Sequence, residues 1–213
     1  LDIINGKEFH KDILIHNGKI IELGKIDNDK NYDIIDCKNY IITQSFVDIH
    51  THFQTPGIGD QEDLLSGANA ALSGGYSKVC IMPNTNPVID KPELINFILD
   101  ESASLPINIY PIGAITKNLK GIELSEIGSM INAGAVAVSD AYNSIMNAQI
   151  MRYALEYARM FDIPVINHPQ DINLVNNGVM NESMFSDSLG LIGNPIIAEL
   201  IMINRDLEIA NYI

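Results

Sequence analysis

Residues 46–82 read FVDIHTHFQTPGIGDQEDLLSGANAALSGGYSKVCIM, and the pattern of apolar residues in this segment indicates the fold class. It contains a short apolar run, Val47–His52, then an amphipathic helical stretch, Glu62–Ser73, and then a second apolar run, Ser77–Met82. Two glycines follow the helical stretch, at the position where a left-handed residue commonly ends a helix. The order strand, helix, strand predicts a parallel βαβ unit.

The same alternation continues toward the C-terminus, where Asp171–Asn194 is predicted to form a long loop. Five strands separated by four helices, with polar residues at the strand ends, predict an α/β fold of the TIM-type (β/α)8 barrel, incomplete in this chain at about five strands. A doubly wound open sheet has the same alternation and is the alternative. The further predicted strands are Ile107–Ile112, Ala135–Ser139 and Pro164–Asn167, and the further predicted helices are Lys91–Ala103, Leu124–Ala133, Asn147–Phe161 and one from Pro195 onward.

Residues 1–47 lack a helical period and predict a small N-terminal β-sandwich module, which leaves 48–213 as the N-terminal part of the barrel domain. Asn17-Gly18 lies between two apolar runs, and this dipeptide favours a type I′ hairpin turn. A further extended run is predicted at Tyr32–Ile42.

Composition excludes several classes of function. The chain has 13 Lys+Arg against 27 Asp+Glu, a net charge of -14, so neither a nucleic acid nor an anionic membrane surface is an expected partner. No apolar run reaches the roughly 20 residues that span a bilayer, and no signal peptide is visible. Cys37 and Cys80 form no Cys-x-x-Cys pair, so the expected location is the reducing cytoplasm.

The strongest chemical motif is Asp48-Ile49-His50-Thr51-His52 at the end of the first barrel strand. Side chains alternate along a strand, so His50 and His52 point the same way and could bind one metal ion. The alternative is a pair of packed histidines with satisfied hydrogen bonds.

Polar residues end three other predicted strands and are expected at the same mouth of the barrel. Asp140 and His168 would complete a set of three imidazoles and one carboxylate, which suits one or two zinc ions. Asn84, in the loop Met82–Pro87, could hydrogen-bond a substrate, although Asn and Pro are also ordinary turn residues.

The chain resembles the dihydroorotases of the longer type, within the cyclic amidohydrolases, in the segments 47–57, Met82–Asp90, Gly113–Lys117 and Pro164–Asp171. Dihydroorotases interconvert N-carbamoyl-L-aspartate and L-dihydroorotate in pyrimidine biosynthesis with the help of zinc. The resemblance implies that His50 and His52 bind the first metal ion, that Asp140 bridges or supports the pair, and that His168 binds the second.

For the substrate, the resemblance implies that Asn84 binds a carboxylate. Gln54 stands where the family places an Arg that grips the anionic substrate, and a neutral amide cannot replace that charged pair. Ala141-Tyr142 likewise replaces a common Asp-Gly pair.

The resemblance also implies a proton-shuttling Asp beyond Ile213, so no catalytic acid or base is expected within these residues. We therefore predict a truncated dihydroorotase that is inactive alone and that takes a small-molecule substrate as a homo-oligomer. Two alternatives stay open. One is a non-catalytic dihydroorotase-like subunit that supports aspartate carbamoyltransferase, and the other is an allantoinase-like cyclic amidohydrolase.

Overall fold

The computed structural model describes residues 6, 8–27, 32–57, 62–175 and 177–213. The chain divides into two compact units, Leu1–Phe46 and Val47–Ile213.

The N-terminal unit contains a hairpin of two antiparallel strands, β1 (Asp12–His16) and β2 (Lys19–Gly24). Its turn residues Asn17 and Gly18 have φ of 49° and 72°, as a type I′ turn requires, so the predicted hairpin is confirmed. The predicted extended run Tyr32–Ile42 forms no strand. A strand needs a partner for its backbone N–H and C=O groups, and among the described residues of this unit β1 and β2 pair only with each other.

The second unit is built on parallel strands. Three of them form one sheet in the order β3-β4-β5, and two form a second pair, β6-β7. The pairs β4-β5 and β6-β7 are both parallel. These strands are β3 (Phe46–Thr51), β4 (Tyr76–Ile81), β5 (Asn108–Pro111), β6 (Val138–Ser139) and β7 (Val165–Ile166).

A parallel bridge between Gly113 and Val138 joins the two groups of strands. The amide of Gly113 donates to the Ala137 carbonyl over 3.0 Å, and the amide of Ser139 donates back to the Gly113 carbonyl over 2.9 Å. The five strands therefore follow one another in chain order with no reversal. A doubly wound sheet requires a reversal of strand order, so the observed order disfavours that alternative.

Helices fill the connections between these strands, as the sequence predicts. The first helix begins at a capping box in which Asp63 accepts from the backbone of Ser66, and the fourth begins at Asn147, whose side chain accepts from the amide of Gln149. Gly134 ends the third helix in the left-handed conformation, with φ of 116°. The helices are α1 (Leu64–Ser73), α2 (Pro92–Ser102), α3 (Ile127–Ala133) and α4 (Ala148–Met160).

The segment Asp171–Asn194 is more ordered than the predicted long loop. It contains a short helix, α5 (Met184–Leu189), and two short parallel strands, β8 (Met180–Asn181) and β9 (Gly193–Asn194). The signal missed in the sequence is the capping box of α5, in which Ser183 and Ser186 bond each other's backbone. The last helix, α6, spans Ile197–Tyr212 as expected.

The core of the second unit consists of two clusters. The larger lies between the strands and the helices and includes Val79, Val138 and Met151. The smaller contains Met82, Ile112, Ala137 and Ala141. Within the described part of the chain, no helix is both long and apolar enough to cross a bilayer.

Candidate metal and substrate site

The end of β3 brings two imidazoles together with an amide from the loop after β4. His50 and His52 lie on one side of β3, as the alternation predicts, with their Nε2 atoms 3.1 Å apart. The Nδ1 atom of His52 lies 2.8 Å from Oδ1 of Asn84. The structure therefore brings together three of the predicted site residues.

These two contacts define the tautomers of the pair. An amide oxygen can only accept, so the Nδ1–H of His52 donates to Asn84, and the Nε2 atom of the neutral ring carries the lone pair. The Nε2–H of His50 then donates to that lone pair. Asn84 thus has a role that the sequence did not indicate, because it orients His52 with its Nε2 toward His50.

Electrostatics favour the neutral form of the His50 imidazole. Burial lowers the pKa of His50, and the imidazoles of His52 and His168 lower it further, while the nearby Asp48 acts in the opposite direction. A neutral imidazole offers a lone pair, which is the form that binds metal ions.

Backbone contacts hold the end of β3 in place. The hydroxyl of Thr51 donates to the Cys80 carbonyl over 2.9 Å, and the Met82 amide donates to the Thr51 carbonyl over 2.8 Å. The carboxylate of Asp48 accepts from the His50 amide over 2.9 Å. The pair of imidazoles is therefore set on a fixed strand end.

The imidazole pair fits part of a metal site. Two nitrogens bound about 2.0–2.1 Å from one zinc ion in a tetrahedral arrangement lie roughly 3.3 Å apart, close to the 3.1 Å between His50 and His52. A structural or catalytic zinc site has at least three protein ligands. Among the described residues, no group of three or more His, Cys, Asp or Glu side chains is placed to hold a metal ion.

Asp140 follows β6, and its carboxylate bonds the loop after β5. One carboxylate oxygen accepts from the amides of Ile115 and Thr116 over 2.8 and 2.9 Å, and the other accepts from the Thr116 hydroxyl. The residue is only 1% exposed. Burial raises the pKa of Asp140, although the bonds from Thr116 and Ile115 act to lower it.

The alternation of side chains along β6 explains this placement. Val138 packs in the larger cluster beside the helices, whereas Ala137 and Ala141 pack in the smaller cluster with Met82. Asp140 is two residues after Val138 and shares its side of the strand. The predicted metal role of Asp140 stays a prediction, and its observed contacts are those of a structural carboxylate.

His168 lies beyond β7, and the ring of Tyr142 lies near it. The sequence predicted no role for Tyr142. The ring of Tyr142 stacks on His52 at 4.6 Å between centroids and 19° between planes. Its centroid is also 6.5 Å from that of His50 and 6.4 Å from that of His168. The signal available in the sequence was an aromatic residue three positions after the predicted strand Ala135–Ser139.

Gln54 lies in the loop after β3. The backbone amide of Gln54 donates to the Glu62 carbonyl over 2.8 Å, and this bond connects the loop to the residues just before α1. The predicted role of its side chain toward substrate stays a prediction.

The fold of the chain resembles that of a solved structure. The chain superposes on the L-hydantoinase (dihydropyrimidinase) from Arthrobacter aurescens with a TM-score of 0.73 at 17% identity, over 95% of this chain and 47% of that one. At this level of identity the likeness concerns the fold alone.

Sequence comparisons define the family. Residues 39–212 match the model of the dihydro-orotase-like family, and the chain belongs to that family. It is 43% identical over 213 residues to a dihydroorotase of Ruminiclostridium cellulolyticum, and 40% identical over 213 residues to one of Syntrophotalea carbinolica. These matches cover 100% of this chain and 50% of each relative, so the chain spans about half the length of the curated relatives it matches. The resemblance to dihydroorotases is thereby confirmed.

Proposed function

We propose that this protein is a dihydroorotase, which interconverts L-dihydroorotate and N-carbamoyl-L-aspartate by opening and closing a cyclic amide. The observation that carries the proposal is the convergence of His50, His52 and Asn84 at the end of two neighbouring strands, in a chain of the dihydro-orotase-like family. The ordered run of five strands supports a (β/α)8 barrel as the scaffold.

His50 and His52 would hold one divalent cation, for which we propose zinc. When bound, the cation would supply Lewis-acid catalysis at the amide carbonyl. The residues of the chain would orient the ligand: Asn84 holds His52 in the tautomer whose Nε2 atom carries the lone pair. Outer contacts of this kind commonly change metal affinity 10- to 100-fold when they are removed.

An anionic substrate calls for a cation at its binding site. Gln54 is neutral, and replacing a charged buried contact by a neutral one costs on the order of 2–5 kcal/mol. If the remainder of the site is intact, Gln54→Arg should raise kcat/KM for L-dihydroorotate at least tenfold. Gln54→Lys is the matched control, since it adds the charge without the bidentate fork.

The test of the proposed function is turnover by the protein as its gene encodes it. We expect it to convert L-dihydroorotate to N-carbamoyl-L-aspartate with zinc present, and we expect His50→Ala and His52→Ala to abolish conversion. An active protein that is unaffected by both substitutions would contradict the proposed site.

A second candidate is a non-catalytic subunit that supports aspartate carbamoyltransferase. The observation that favours it is the carboxylate of Asp140, which is bonded to the backbone of Ile115 and Thr116 instead of facing the imidazoles. Zinc below a tenth of an equivalent and no turnover, together with a higher melting temperature of the transcarbamoylase in the mixture, would favour this candidate over the first.

A further inference from the structure

We infer that Ser144 is a positioning residue for His168, because its hydroxyl holds the backbone from which that imidazole projects. The hydroxyl donates to the His168 carbonyl over 2.6 Å and accepts from the Gln170 amide over 3.1 Å. The inference deepens the proposed function, and it rests on that function only for the predicted role of His168 as a metal ligand.

The ladder of the strands does not reach this segment. β7 ends at Ile166, whose partner in β6 is Ser139, so His168 lies two residues beyond the last paired position. A backbone that leaves a strand keeps a fixed course only where other groups bond its N–H and C=O groups. The hydroxyl of Ser144, in the loop after β6, supplies such a group at 168–170.

Pro169 makes this contact effective. A proline holds its own φ at about −65° and has no N–H, so the segment from His168 to Gln170 is stiff and offers few groups that can be bonded. The hydroxyl of Ser144 acts both as a donor to the first residue and as an acceptor from the third. The Gln170 amide also donates to the His168 carbonyl over 3.0 Å. One side chain therefore holds both ends of a stiff three-residue turn.

The loop that carries Ser144 is itself anchored, so the hydroxyl is a fixed point of reference. The Met146 carbonyl accepts from the guanidinium of Arg205 over 3.0 Å, and Arg205 pairs with Asp206 over 2.6 Å. Asp206 in turn accepts from the side-chain amide of Asn167 over 2.7 Å. Both side chains of the ion pair are only 18% exposed, so salt screens them little. The loop and the residue before the imidazole are thus joined a second time, through α6.

The imidazole of His168 depends on this backbone because packing does little to place it. The residue is exposed, and its ring meets that of Tyr142 edge-on, with centroids 6.4 Å apart and planes at 82°. Metal sites require ligand distances within about 0.2 Å of their usual values. A backbone that drifts at 168–170 would therefore reduce the ability of His168 to bind an ion, even though its side chain is intact.

The experiment records the imidazole signals of the metal-free protein by long-range proton–nitrogen correlation, with isotopically labelled histidine. The chain has 5 histidines, and His168→Ala identifies the signals of His168. We expect Ser144→Ala to shift or split these signals, and Ser144→Thr, which keeps the hydroxyl, to restore them. Ser73→Ala is the matched control, because that hydroxyl also donates to a backbone carbonyl, that of Asn69, over 2.8 Å. It should leave the His168 signals unchanged.

A double-mutant cycle measures the consequence for metal binding. In a Zn²⁺ titration, Ser144→Ala should weaken binding about two- to tenfold, which is the size expected for one lost hydrogen bond. The same substitution should have no further effect in His168→Ala. Non-additivity of this kind would show that the hydroxyl acts through the imidazole.

Three results would overturn the inference: His168 signals that are unchanged in Ser144→Ala, signals that Ser144→Thr does not restore, or a loss of Zn²⁺ affinity that persists in His168→Ala. Thermal melts check that each variant is folded, and Ser144→Gly replaces the alanine variant if that one is not. Because the signals are recorded without metal or turnover, the inference can fail while the dihydroorotase activity stands. If His168→Ala binds Zn²⁺ as the parent does, the predicted ligand role fails, whereas the signals still decide the inference.

Discussion

Replacing Asp140 tests whether its carboxylate is structural or metal-binding. In Asp140→Ala, the buried amide and the hydroxyl of Thr116 lose their acceptor, whereas the amide of Ile115 keeps a longer bond of 3.3 Å to the Ser139 carbonyl. A buried donor left without a partner costs about 1–3 kcal/mol, and the hydroxyl can rotate toward another acceptor. The Thr116 amide dominates, so we expect a loss of about 1–3 kcal/mol in the free energy of unfolding.

The matched control is Asp140→Asn, which keeps one oxygen for both amides and loses only the acceptor of the Thr116 hydroxyl. We expect it to cost about 1 kcal/mol. Urea unfolding followed by circular dichroism gives both values, and Zn²⁺ titration of the same samples gives metal affinity. We expect Asp140→Asn to bind Zn²⁺ as the parent does.

The pH dependence supplies an independent check. Burial raises the pKa of Asp140 in the folded protein above its value in the unfolded chain, so the folded state holds this proton more tightly. The contribution of Asp140 to stability is therefore fully present below the unfolded value of about 3.9 and is reduced as the pH rises above it. The stability advantage of the parent over Asp140→Asn should be largest in acid and should narrow toward neutral pH. Unchanged stability in both variants, combined with lost Zn²⁺ binding, would refute the structural role and return Asp140 to the metal site.

Three further predictions concern the end of β3 and the residues that contact it. Gly67→Ala should destabilise the protein by about 1–3 kcal/mol in urea unfolding, because the new Cβ would lie 2.4 Å from the Phe53 ring. This loss outweighs the higher helix propensity of alanine. Adding Phe53→Leu to the same chain should recover part of the loss. Asn84→Leu should weaken Zn²⁺ binding 10- to 100-fold by calorimetry while Asn84→Asp, which keeps an acceptor for His52, should not; equal losses in both would contradict the orienting role. The pKa of His50 is lowered in the folded protein, so the contribution of His50 to stability is present above about pH 6.5 and is lost as the pH falls. The melting temperature of His50→Gln should therefore depend less on pH between about 5 and 7 than that of the parent. An identical pH dependence in both proteins would argue against the shift.

The parts of the fold that depend on local signals could be predicted from the sequence. Asn17-Gly18 requires positive φ at both positions and therefore defines a hairpin without help from tertiary contacts. His50 and His52 share a side of β3 because side chains alternate along any strand. The missed helix α5 had a local signal too, the capping box of Ser183, but the Asn-, Ser- and Gly-rich composition around it outweighed that signal in the sequence analysis.

The end of β6 was harder to predict because it depends on non-local contacts. The side to which Asp140 points follows from alternation, but its partners lie 24 and 25 residues earlier in the chain. The left-handed conformation of Ala141 has no signal in the residue itself, since a side chain disfavours that region by about 1–2 kcal/mol. The position of Tyr142 depends on this turn, so its contacts with the imidazoles became visible only in the structure.

The chemistry of the site therefore depends on two strand ends of different character. The end of β3 supplies His50 and His52 by regular geometry, and contacts from Cys80 and Met82 hold it in place whatever occupies the mouth. The end of β6 presents the Tyr142 ring to these imidazoles and turns its one carboxylate toward the backbone.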